Sequence, residues 1–299
     1  MAIPFDREFD APYGQPVHVS PLIRRLLARN PSPFTFKGTG VAIIGKGEVA
    51  VIDPGPDDPG HLAALRAALD GETVTHIFVT HTHRDHSPAA KRLKAWTGAP
   101  TYGFGPHGSG KNETGIAVEE GGDRDFVPDI AVRDGDVIAG SGFSIECVHT
   151  PGHTSNHMCY ALKEEKALFT GDHVMGWSTT VVAPPDGDMG DYLASLKKLL
   201  ARDDAILWPT HGGPVRDPKP FLSAYLAHRL ERERQILEAL REGETSIPEM
   251  VTRIYAGLDP RLKPAAGLSV LAHLLLLAKQ NRVASSGGPG FAARYRLAK

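Results

Sequence analysis

The chain has 299 residues, of which 41% are hydrophobic and 23% charged, with two cysteines and a formal net charge of −2. That length buries a substantial core, the composition is that of an ordinary soluble globular protein, and two cysteines are too few for a disulfide framework. No apolar run reaches the ~18–20 residues a membrane helix needs, and the longest is "VLAHLLLLA" (270–278). The opening "MAIPFDREFD" has no apolar core of the kind a secretory signal carries, so a cytoplasmic protein with reduced Cys147 and Cys159 and no membrane partner is expected. The charge is unevenly spread. Of 33 Lys+Arg and 35 Asp+Glu, residues 218–299 hold 13 and 7, which leaves 20 and 28 in residues 1–217. An acidic body with a basic tail points toward an anionic partner.

In chain order, β-rich runs bounded by Gly, Pro or Asp predict strands at 41–45, 49–53, 76–80, 143–150, 157–163, 166–171 and 205–210. Between them, amphipathic stretches predict helices at 60–70, 87–97 and 188–202, the last opening with acids and closing with bases. Strands interleaved with helices define an α/β layered domain, expected over 1–217. Residues 105–129 are polar and glycine-rich and are expected to form a long surface loop. Beyond residue 218 the pattern is mostly helical, with helices at 218–243, 245–257 and 264–280 and two short strands around a Gly-Pro turn within 282–298. Three helices closed by a hairpin outline a winged-helix-like domain over 218–299.

Chemistry concentrates at the ends of the predicted strands. "THTHRDHS" (80–87) places His81, His83, Asp85 and His86 directly after the apolar run "HIFVT". Imidazole and carboxylate are good ligands for zinc-like ions, and His-x-His sets two rings on one side of an extended backbone. A turn after His83 would aim Asp85 and His86 at a neighbouring position, so the cluster can serve two metals. Further along, "TPGHTSNH" offers His153, "FTGDH" offers Asp172 and "PTHGGP" offers His211, each at a strand end beside glycine. Alone, each is an ordinary polar loop residue. Together they repeat one design.

This set, in this order, resembles the metallo-β-lactamase superfamily of hydrolases, and "AVIDPG" (50–55) is similar to that family's early strand ending in a structural aspartate, here Asp53. The resemblance implies a four-layer αββα sandwich and two divalent ions per chain, zinc by default with iron or manganese equally suited to such donors. It also implies that His81, His83 and His153 hold one ion, that Asp85, His86 and His211 hold the other, and that Asp172 bridges them. Two ions so placed make a shared water acidic enough to attack near neutral pH, with Asp85 as the catalytic residue that orients it. Asp53 would fix the tautomer of a ligand imidazole. More narrowly, "NPSPFTFKGTG" (30–40), "HTHRDHSPAA" (81–90), "TPGHTSNHM" (150–158) and "GDHVMGWSTTVV" (171–182) resemble the β-lactamase-like protein 2 group, which carries a C-terminal winged helix and includes endonucleases acting on single-stranded RNA.

The expected function is therefore a dinuclear phosphodiesterase, an endoribonuclease on single-stranded RNA. The alternatives are a small-molecule hydrolase opening a thioester, lactone or β-lactam, and a metal-binding nucleic-acid-binding protein without activity. β-Lactam cleavage is disfavoured by the absent export signal and by a bridging aspartate at 172, which secreted resistance enzymes generally lack. The tail is equally suited to forming a homodimer or packing on the body. His157 is a candidate substrate contact or structural residue, His76 a packed histidine, Arg84 a surface salt-bridge residue or a contact to an anionic substrate, and Trp177 a pocket-rim residue that stacks a base or packs under a loop.

Overall fold

The computed structural model describes residues 3–108 and 121–298. Two sheets lie face to face. The first takes seven strands in chain order: β1 (Val17–His18), β2 (Ile23–Leu27), β3 (Gly40–Lys46), β4 (Glu48–Ile52), β5 (Thr73–Phe78), β6 (Thr101–Gly103) and β7 (Ile130–Ala131). Its first four strands are antiparallel neighbours, while β4 through β7 run parallel. The second sheet has β8 (Val137–Gly140), β9 (Phe143–His149), β10 (Met158–Leu162), β11 (Ala167–Gly171) and β12 (Ile206–Pro209), with β11 and β12 parallel.

The layering follows from strand alternation. Successive side chains point to opposite faces, so Ile44, Ile52 and Phe78 meet Ile145, Tyr160 and Phe169 between the sheets. Their neighbours Ile43, Val51 and Ile77 face outward, where α1 (Pro59–Ala68) and α2 (Ala89–Thr97) cover them with Leu65 and Leu93. On the other side Cys159, Leu168 and Leu207 pack beneath Tyr192 and Leu196 of α3 (Met189–Leu200). The result is the expected four-layer αββα sandwich.

The tail begins with α4 (Pro218–Arg241), which belongs to two cores. Phe221, Leu222 and Tyr225 pack on the sandwich, whereas Ile236, Ala239 and Leu240 pack on the tail's own cluster. A boundary at 217/218 thus falls where α4 starts, not between independent cores. There follow β13 (Thr245–Ser246), α5 (Ile247–Ile254), α6 (Lys263–Lys279) and a wing of β14 (Val283–Ser285) and β15 (Arg294–Leu297), with sheet order β13-β15-β14. Ser246 and Glu249 form a capping box at the start of α5. The long apolar run in α6 is core: Val270, Leu271, Leu274 and Leu277 are buried in the tail cluster.

Departures from the sequence expectation are local. Strands β1 and β2 were not anticipated, because Arg24 and Arg25 interrupt the apolar pattern of 23–27. Of the 105–129 loop, residues 109–120 lie outside the described residues; the described flanks are irregular, pinned by Asp123 N donating to Thr82 O at 2.7 Å and by Ser87 Oγ donating to Asp123 at 2.6 Å.

Candidate metal centre

The seven predicted ligands converge at the ends of β5, β9, β11 and β12, where ligands collect in open α/β sheets. Local geometry explains the spacing in "THTHRDHS". The chain stays extended through His81 and His83, with Thr82 turned the other way to accept from Asn156 Nδ2 at 2.9 Å. The amides of His86 and Ser87 then both donate to His83 O, at 3.0 and 3.2 Å, closing a turn that swings Asp85 and His86 to a second position.

Three ligand groupings are brought together, His81–His83–His153, His81–His86–Asp172 and Asp85–His86–His211, all buried or nearly so. His83 Nδ1 lies 2.9 Å from His81 Nε2 and 3.2 Å from His153 Nε2. On the other side, Asp85 Oδ2 is 3.3 Å from His86 Nε2 and 3.1 Å from His211 Nε2. Asp172 straddles the two: its Oδ1 faces His86 and His211 at 3.5 and 3.4 Å, and its Oδ2 faces His153 at 3.9 Å.

Surrounding acceptors aim the lone pairs inward. Nδ1 of His86 donates to Asp53 Oδ2 at 2.8 Å, that of His153 to Val181 O at 2.7 Å and that of His211 to Gly38 O at 3.1 Å. Thr80 Oγ1 donates to Asp53 Oδ2, so it accepts from His81 Nδ1 at 3.0 Å. With Nδ1 donating outward, each of these rings turns Nε2 to the centre, the orientation metal-bound histidines adopt. Burial opposes charge on His86 and His211, but the facing Asp85 and Asp172 hold both above the ordinary histidine range. Burial, reinforced by the neighbouring imidazoles, holds His81 and His83 well below the ordinary histidine range. Burial also opposes charge on Asp172, but His211 and His86 outweigh it and keep the carboxyl ionised.

This donor set fits divalent cations. His86 Nε2 and Asp172 Oδ1 are buried and satisfy no hydrogen bond among the described residues, a costly state unless a cation completes it. Glycine makes the approach feasible at Asp172: Gly171 has φ +51, and a Cβ there would lie 2.6 Å from His157 Nε2 and 2.8 Å from Thr80 Oγ1.

The remaining singled-out residues separate clearly. Asp53 accepts from Thr80 N at 2.7 Å as well as from His86, the positioning role expected of it. His157 is wholly buried, accepts from Asp172 N at 3.2 Å through Nε2 and bonds Thr150 Oγ1 through Nδ1, which places it behind the ligand loop as a structural residue. His76 packs against Phe78, Tyr102 and Phe143. Arg84 is exposed on the outer side of the turn. Trp177 stacks on Phe36 at 4.8 Å and lines a cavity of about 770 Å³ that reaches Asp172.

Sequence reasoning missed two contributors. Arg25 is buried and donates to Pro209 O, Thr210 O and Gly212 O at 2.8 to 3.0 Å, clamping both sides of His211. Thr39 Oγ1 donates to Asp85 Oδ2 at 3.3 Å. The available signal for Arg25 was its alternation with Ile23 and Leu27, which puts a cation on an apolar strand face.

Comparison with known proteins agrees with this geometry. A family profile described as "Metallo-beta-lactamase superfamily" matches residues 36–211, and one described as "Beta-lactamase associated winged helix domain" matches residues 246–291. The chain belongs to the metallo-β-lactamase superfamily, and it is a hydrolase of that superfamily with a C-terminal winged helix. Among curated relatives, the lactamase-like protein adaB of Aspergillus niger is 29% identical, over 91% of this chain and 84% of that protein. An atrochrysone carboxyl ACP thioesterase from Claviceps purpurea is 30% identical, over 79% of this chain and 73% of that protein. Among solved structures, a beta-lactamase domain protein from Burkholderia ambifaria shares the fold at a TM-score of 0.80 and 21% identity, covering 98% of this chain and 97% of that one.

Proposed function

We propose that the protein is a dinuclear thioester hydrolase acting on a small acyl substrate. His81, His83 and His153 would hold one divalent ion and Asp85, His86 and His211 the other, with Asp172 placed between the two ligand sets. Bound there, the ions supply Lewis acidity to a carbonyl oxygen and a water acidic enough to attack at neutral pH, with zinc the default occupant. Asp85 turns Oδ2 toward Thr39, His86 and His211, and the other oxygen of its carboxylate would orient the attacking water and take its proton. Asp172 spreads its charge over both ligand sets. The leaving thiolate needs little help, because a thiol, with a pKa of about 8.5, is far more acidic than an alcohol.

The observation that carries this reading is the cavity above Asp172. Its walls include Phe34, Trp177, Tyr255 and Leu258, shared between the sandwich and the tail, and about 770 Å³ is the size of a small-molecule site. The similarity to a relative named as a thioesterase supports the same choice.

Single-stranded RNA, the substrate expected from the tail's charge, ranks second. Much of that charge is already engaged on the surface: Arg234 pairs with Glu231, Arg253 with Glu242, Arg261 with Asp259 and Arg282 with Glu233. The test is direct competition of substrates. Zinc-loaded protein should release thiol from an octanoyl N-acetylcysteamine thioester and leave single-stranded RNA intact, with turnover abolished in Asp85→Asn. RNA cleavage with the thioester untouched would reverse the order.

A further inference from the structure

The cavity above Asp172 contains more polar chemistry than a plain hydrocarbon chain would use. Arg229, Arg232, His228 and Trp177 all line it, and Arg229 Nε, Arg232 Nε, His228 Nδ1 and Trp177 Nε1 are sealed beneath its surface without a hydrogen bond among the described residues. Arg229 is only 2% exposed. Its other contacts are a bond from Nη2 to Thr180 O and the face of Tyr192 at 4.9 Å. Arg232 reaches Gln235 Oε1 and the ring of Tyr255. Neither guanidinium forms an ion pair with a carboxylate among the described residues, and the acid on the rim, Glu231, is held by Arg234 at 2.7 Å.

A buried cation without a counter-charge is expensive, and so are orphaned N–H groups. Two arginines lining a space large enough for a ligand, neither paired with a carboxylate among the described residues, mark a place where a ligand brings an anion. The position is tied to the chemistry. Thr180 receives Arg229 on its carbonyl and donates Oγ1 to Asp172 O at 2.7 Å, so the arginine stands one residue from the proposed bridging ligand.

We infer that this cavity takes the acyl half of the thioester, and that Arg229 and Arg232 select an acyl group carrying a carboxylate or comparable anionic oxygen away from the thioester carbonyl. This rests on the thioesterase reading for the identity of the substrate. The thiol-bearing arm has to lead out to solvent, whereas a guanidinium that is 2% exposed lies deep. Aromatic and aliphatic walls, Phe34, Trp177 and Leu258, take the carbon skeleton between the carbonyl and the anion.

The test compares two eight-carbon groups, octanoyl and 7-carboxyheptanoyl. Their amide analogues, with nitrogen replacing the thioester sulfur of the N-acetylcysteamine derivative, are titrated calorimetrically into zinc-loaded protein, and the thioesters themselves are assayed for turnover. The carboxylated amide should bind at least ~10-fold more tightly, the worth of one charge-assisted hydrogen bond. That preference should collapse in Arg229→Met. Because Arg229 also holds Thr180, Arg232→Met at a half-buried position is run beside it, with thermal melts reporting folding. Loss of the preference in either folded variant supports the assignment. Equal binding of the two amides by the wild type, or a preference unchanged in both folded variants, overturns it. If neither thioester is hydrolysed, the thioesterase reading fails instead, and the amide titrations still decide whether the arginines recognise an anion.

Discussion

His86 Nδ1 donates a hydrogen bond to Asp53 Oδ2 at 2.8 Å, and both side chains are almost completely buried. Asp53 also accepts from Thr80 N, Thr80 Oγ1 and Thr210 Oγ1, so one carboxylate orients His86 while tying the β5 end to the β12 end. Replacing it with alanine should free the His86 ring to rotate and lower metal affinity by ~10–100-fold. Chelator competition measures this, and an unchanged affinity would show that the bond is incidental.

Elemental analysis after zinc loading should find two ions per chain in the wild type and about one in His153→Ala. Removing the ions with a chelator should abolish hydrolysis, and adding zinc should restore it. One ion in the saturated wild type would rule out the dinuclear arrangement.

Gly171→Ala places a Cβ against His157 and Thr80 in a left-handed conformation, φ +51. The segment carrying Asp172 has to shift, and misplacement on the order of 1 Å costs about 100-fold in turnover. A variant that folds, melts like the wild type and keeps full kcat would contradict this.

Arg25→Met removes three charged bonds to the carbonyls around His211. The loss of a buried cation offsets part of the damage, which leaves a destabilisation of about 2–3 kcal/mol. Urea unfolding gives the value, and zinc affinity should fall with it.

Burial pushes the Cys159 thiol up to about 12 and the Cys147 thiol likewise. Both should resist a thiol reagent at pH 8 in the folded state and react once the chain is denatured. Because the unfolded thiols ionise first, their contribution makes stability fall as pH rises from the ordinary thiol value toward 12. Rapid labelling of either cysteine in native protein would refute the burial.

The ligand pattern was legible because short-range geometry produces it. His81, His83, Asp85 and His86 owe their directions to an extended segment followed by a turn, both local features, and the unbroken apolar pairs Ile43/Ile44, Val51/Ile52 and Ile77/Phe78, in β-branched and aromatic runs bounded by Gly, Pro or Asp, announce strands buried on both faces. Thr39 was not legible, since it acts on a partner more than forty residues away and has no local signature, and for Arg25 the alternation with Ile23 and Leu27 marks an unusual cation without naming its distant partners.

What the sequence by itself determined is therefore the chemistry: which side chains can hold metal, and the αββα order that carries them to one sheet edge. Tertiary structure alone decided what that chemistry faces. Whether Arg229 and Arg232 join a basic surface or line a cavity depends on how α4 bridges two cores, a packing outcome that no local pattern in "AHRLERER" contains. Surface charge and buried charge are written with the same letters. Desolvation separates them, and it is a property of the folded neighbourhood.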